Sequence, residues 1–137
     1  MNQHPYLRAY LAGIAVPTPL LLVAMSAYTV FRLVYHFPVP VERFIVFPMA
    51  VIPNAWGLWN VLFIALRGRL RMSIGLHGAL LPFLLGPLGI VVATALNIRI
   101  PHYVVPYVPL AAVQALVIYY LAWKYLVNFL NRVVGLV

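Results

Sequence analysis

Asn54, Trp56, Gly57, Trp59 and Asn60 stand close together in an otherwise apolar stretch. They are the residues of this chain whose types and spacing come nearest to a chemical signature. A carboxamide carries two donors and an acceptor oxygen with two lone pairs. In an apolar medium it must be hydrogen-bonded, so it faces protein or a wet cavity. On a helix Pro53, Trp56, Gly57 and Asn60 share one face, spaced three and four residues apart. Two roles fit that face. The amides could be interhelical glue, with Gln114 and the hydroxyls of Ser26 and Thr29 as partners, or they could line the path of a small ligand or solute. The candidate ligand or polar-packing set is therefore Asn54, Trp56, Asn60 and Gln114.

Groups that catalyse are scarce. The single acid is Glu42, so there is no carboxylate pair for general acid–base work and no acidic cluster for a metal-dependent hydrolase. Ser26 and Ser73 have no activating base nearby in the sequence. The chain has no cysteine, which removes disulfides, thiolate metal sites and iron–sulfur clusters. Its four histidines are expected in two layers, His4 with His77 and His36 with His102. Paired histidines can hold a b-type haem, but none of these lies deep within a long apolar run, and solvated interfacial histidines are expected instead. The expectation is a protein that is not an enzyme and has no cofactor and no metal site.

Prolines and small residues point to packing. A proline inside a helix removes one backbone hydrogen bond and frees the carbonyl four residues earlier. Kinks are expected at Pro17, Pro53, Pro82 and Pro87, with Pro17 freeing Gly13 and Pro82 freeing Gly78. Gly75, Gly78, Ala79, Gly89 and Ala93 are the expected close-packing positions of the third helix, because small residues four apart let helices approach. That helix is expected to be the most buried.

The elements that position these residues follow from composition. The 137 residues are 66% hydrophobic and 7% charged, with a mean hydropathy of +1.03. A soluble domain carries roughly 25% charged residues; without them so short a chain cannot cover a core with polar surface. Charges divide the sequence into four apolar segments, each long enough for a helix to cross a hydrocarbon core, which takes about 20 residues. Helices are expected over about 9–35, 43–66, 72–97 and 103–131. The first is too long for the apolar part of a signal peptide and is expected to remain as a span. The fold class is an all-α integral membrane protein, one domain of four transmembrane helices.

Short links, with Pro38 and Pro40 in the first and Arg67-Gly68-Arg69-Leu70-Arg71 as the second, make successive helices antiparallel neighbours. Arg8, Arg67, Arg69, Arg71, Lys124 and Arg132 gather at one end; Arg32, Arg43 and Arg99 gather at the other. The richer end is expected in the cytoplasm, so both termini are expected inside a plasma membrane of the bacterial inner-membrane type. Arg67, Arg69 and Arg71 are the candidate contacts for lipid headgroups. Cations placed at helix ends rather than in a patch argue against nucleic acid as a partner. A faint repeat aligns Leu11, Gly13, Pro17, Leu20 and Thr29 with Leu76, Gly78, Pro82, Leu85 and Thr94, which suggests two tandem hairpins. The expected function is a non-catalytic accessory or structural subunit of a membrane complex, binding lipid and either other membrane subunits or itself. The alternative is an oligomeric channel or transporter for ions or small solutes.

Overall fold

The computed structural model describes residues 4–36, 45, 47–69, 71–98 and 102–137. The described elements are all helical, and four helices are long and apolar enough to cross a membrane: Pro5–Tyr35, Phe47–Leu66, Ile74–Ala95 and Val105–Val133. They are called helices one to four. Of the expected features, the Pro38–Pro40 link, Glu42, Arg43, Leu70, Arg99 and Pro101 lie outside the described residues.

The ends of these helices follow local chemistry. Helix one begins at Pro5 rather than at residue 9, since a proline in the first turn gives up an N–H that has no helical partner. It breaks at Ala15–Val16 and resumes at Pro17. Pro17 has no N–H to donate, and the Thr18 hydroxyl takes up a nearby carbonyl by donating to Ile14 O at 2.6 Å. In helix two the described part opens with a π turn, Phe47–Val51, and continues as α-helix from Ile52 to Leu66, so Pro53 falls in its first turn. Helix three starts at Ile74 because Ser73 caps it: the Ser73 hydroxyl accepts from the Leu76 N–H at 3.3 Å. Pro82 and Pro87 lie inside it without ending it. At its other end Asn97 takes φ +54°. The Ile98 N–H donates to Ala93 O at 2.8 Å and the Asn97 N–H to Thr94 O at 3.1 Å, the bonding pattern of a left-handed C-terminal cap. Helix four enters through a 3-10 turn, His102–Tyr107, and contains a second π turn, Ala122–Val127.

Helix one packs on helix two, and helix three on helix four. Glycines set how close each pair comes. A Cβ on Gly13 would lie 2.6 Å from Trp56 O and 2.7 Å from Gly57 Cα, so only glycine allows the two backbones to touch there. In the other hairpin a Cβ on Gly78 would run into the Trp123 ring, and one on Gly75 would lie 2.9 Å from Tyr120. Thus the repeat-related glycines, 13 and 78, each mark the place where a helix meets the tryptophan of its hairpin partner. The related threonines also behave alike: Thr29 donates to Met25 O and Thr94 to Ile90 O, both at 2.8 Å.

Three expected close-packing residues lie elsewhere than in that seam. A Cβ on Gly89 would reach Phe47 only at 3.4 Å, ordinary contact, and Ala79 and Ala93 are half-buried. Spacing shows that a residue is small, not that a neighbour comes close to it.

The core joins the hairpins through Val16, Trp56, Leu81, Leu85, Trp123 and Val127. It sits toward one end of the bundle, where the Arg67–Arg69 turn meets both described chain ends. Arg8 Nη1 donates to Val134 O at 3.2 Å, and Arg67 Nη1 donates to Leu136 O at 3.0 Å. These arginines supply donors and positive charge beside the last carbonyls of helix four.

Candidate functional site

The buried residues of helix two's α-helical part are Pro53, Trp56, Gly57 and Asn60, the face on which the three-and-four spacing places them. Asn60 is fully buried and so is Asn131 near the end of helix four. Their side chains pair reciprocally: Asn60 Nδ2 donates to Asn131 Oδ1 at 2.8 Å, and Asn131 Nδ2 donates to Asn60 Oδ1 at 3.0 Å. Asn60 Nδ2 also donates to Ala9 O at 2.8 Å. One amide pair therefore ties helices one, two and four together at the arginine end.

A second reciprocal pair joins helices two and three. Trp59 Nε1 donates to His77 O at 2.8 Å, and His77 Nε2 donates to Trp59 O at 3.0 Å. Because a carbonyl can only accept, the proton sits on Nε2. The rings of Trp59 and His77 stack with centroids 4.9 Å apart, and Phe63 and Trp123 close around the imidazole at 5.2 and 5.9 Å. His77 is thus buried, contrary to the solvated interfacial histidine expected from its place near a helix end. The cause is the glycine pair around it: Gly75 and Gly78 let helix four close over the imidazole. His4, His36 and His102 are exposed. Among the described residues no three histidine or carboxylate side chains come together as a metal set.

Between these pairs lies an aromatic wall. Trp56 stands 5.0 Å from Tyr119 and 5.4 Å from Trp123, centroid to centroid. The indole N–H groups of Trp56 and Trp123 are buried among these rings.

The other two members of the expected amide face go elsewhere. Asn54 is exposed, accepts from the Tyr10 hydroxyl and donates to Ala50 O at 2.6 Å, a clasp on the outside of the first hairpin. Gln114 is exposed in the middle of helix four and is not part of the buried network. Ser26 is exposed, and Thr29 bonds within its own helix.

Asn131 is the buried polar residue that sequence reasoning missed. Trp123, Val127 and Asn131 are the buried residues of helix four's inner stretch. At 3.6 residues per turn, residues eight apart drift off one face. The π turn at Ala122–Val127 closes over one more residue than an α turn, which under-winds the helix and keeps all three facing the core. The available signal was the spacing itself, tryptophan followed at steps of four by valine and asparagine, beside Trp56 and Asn60 at the same step.

Two surface grooves flank the core. One, of about 380 Å³, lies between helices three and four, lined by Pro82, Gly86, Ala111, Ala115 and Tyr119 among others. It is apolar and open along the side of the bundle. The other, of about 360 Å³, is lined by Lys124, Tyr125, Asn128, Phe129 and Arg132 of helix four. No protein-family model matches the chain, and no curated protein and no solved structure matches it either.

Proposed function

We propose that this chain is an integral membrane protein that serves as a non-catalytic accessory or structural subunit of a membrane complex. The observation that carries the reading is the division of polar and apolar groups. The buried polar side chains Asn60, Asn131 and His77 are bonded to one another or to backbone carbonyls, which favours glue over a solute-lining role. The apolar side chains of the four helices are largely exposed, and an exposed belt of that kind needs lipid or other helices against it.

In this reading the chain lies as two tandem hairpins, with both termini and the Arg67–Arg71 turn on the cytoplasmic side. Arg69 and Arg71 are exposed at that end and meet lipid phosphate together with Arg67. The groove with Lys124 and Arg132 beside Tyr125 and Phe129 supports lipid binding as well: cations for a phosphate, aromatic walls for the acyl glycerol.

Purification in a mild detergent followed by native mass spectrometry tests the proposal. Co-purifying membrane subunits at fixed stoichiometry, with retained lipid, are the expected result. A bare chain that instead conducts ions or small solutes in liposomes would overturn it in favour of a channel. Orientation is tested by single cysteines at Gly68 and Val39, which should react with an impermeant reagent from opposite sides.

A further inference from the structure

Gln114 is the exception to the division just described. It is an exposed amide, and it has no hydrogen-bond partner among the described residues. It stands ten residues before Lys124, or about 15 Å along the helix, which is half the thickness of a hydrocarbon core of about 30 Å. An amide at that depth facing lipid leaves two donors and an acceptor unmet.

The residues around it have a pattern. Tyr107, Leu110, Gln114, Val117 and Leu121 are spaced three, four, three and four apart, and all five are exposed. This is a two-heptad seam with a single polar position at its centre, the arrangement by which helices pair in register. The seam carries no charge. It lies on a different side of helix four from the residues that face the groove against helix three, Ala112 and Leu116 among them.

We infer that this face of helix four is a self-association seam, in which Gln114 of one copy hydrogen-bonds Gln114 of a second copy of this chain. The amide selects the occupant. Copies inserted in the same orientation present parallel helices four, so their Gln114 side chains lie at one depth without further adjustment. A carboxamide complements itself, donating through Nε2 and accepting through Oε1. A two-fold axis along the membrane normal brings the same patch of both copies together, as a closed dimer requires.

This seam rests on the chain being a membrane subunit but not on any other partner being present. The chain has no cysteine, so single cysteines report cleanly. Cysteine at Leu110, Val117 or Leu121 should form an intermolecular disulfide under mild oxidation in native membranes, and cysteine at Ala112 should not. In bilayers Gln114→Leu should weaken dimerisation about three- to thirtyfold, the range for interhelical amides, while Gln114→Asn retains much of it. Thermal unfolding of Gln114→Leu should match the parent, because the residue touches no core. Equal cross-linking from Ala112 and the seam, no cross-linking anywhere, or undiminished dimers of Gln114→Leu would each overturn the seam. A single copy bound to other subunits in native mass spectra would overturn it while leaving the accessory-subunit reading intact.

Discussion

The two ends of this bundle are built on opposite principles. At the arginine end, helix one contributes Ala9, Ala12, Gly13, Val16 and Pro17 to the interior, helix three contributes Gly75, His77, Gly78, Leu81 and Leu85, and helix four contributes Trp123, Val127 and Asn131. At the opposite end, residues 18–35 of helix one and residues 86–95 of helix three include no buried residue, nor do residues 105–121 of helix four. Lipid tails are as apolar as leucine, so helices in a membrane gain little from hiding leucine from lipid. They associate where backbones can touch and where amides and rings interlock. Gly13, Gly57 and Gly78 supply the first condition; Asn60, Asn131, Trp59 and His77 supply the second. The opposite end has neither, and its side chains are largely exposed, free to meet lipid or partners if the proposed function holds.

The largest test of this contrast is to truncate one large apolar side chain at each end. Trp123 is fully buried, whereas Leu33 is 70% exposed. Trp123→Ala should destabilise the protein in detergent by about 3 kcal/mol, the low end for a buried aromatic, because lost packing dominates and the water-transfer part is small in an apolar medium. Leu33→Ala should change the melting point hardly at all. Comparable losses from the two would mean that the ends are equally packed.

Next in size is a pair of glycine substitutions. Gly13→Val places a side chain against the Trp56 carbonyl and the Gly57 backbone, which cannot rotate away, whereas a Cβ on Gly86 meets nothing within 4 Å. Overpacking at Gly13 should cost about 1–3 kcal/mol, read as loss of the monodisperse peak and a lower melting temperature. Gly86→Val should be tolerated. If Gly13→Val is tolerated too, the close approach of helices one and two does not hold the arginine end together.

The contrast also explains which parts of the molecule were legible in the sequence. Four long apolar helices follow from hydropathy alone, since each hydrophobic segment is bounded by charge or proline. The shared face of Trp56, Gly57 and Asn60 follows from helical periodicity. Partners across helices do not, because a helix-to-helix pairing depends on crossing geometry that no single segment encodes. Asn131 was hidden twice over, by lying past Lys124 and by a π turn that shifts the periodicity. Gly89 and Ala93 have the spacing of a packing seam but lie toward the open end, where a Cβ on Gly89 would meet Phe47 of helix two only at ordinary contact distance. Gln114 was expected inside because amides are costly in lipid; it lies outside because helix four turns that face away from the rest of the chain.

The smallest expected effect concerns the amide pair, and a double-mutant cycle sharpens it. Asn60→Leu removes the donor to Ala9 O and both bonds to Asn131. The Asn131 amide is then buried with its partners gone, which costs about 1–2 kcal/mol. Asn131→Leu strands the Asn60 oxygen in the same way, although Asn60 keeps its bond to Ala9. In the double variant no amide is stranded, and leucines of similar volume can fill the site, so the total cost should fall below the sum of the single costs. The expected coupling is about 1 kcal/mol, toward the upper part of the range for interhelical amides in membranes. The cycle is read by equilibrium unfolding of the four proteins in one detergent. Strictly additive losses would mean that the two asparagines act independently and that the reciprocal pair does not lock helix four to helix two. A variant with Asn60→Leu as stable as the parent would go further and place the weight of that end on the Trp59–His77 pair and the glycine contacts alone.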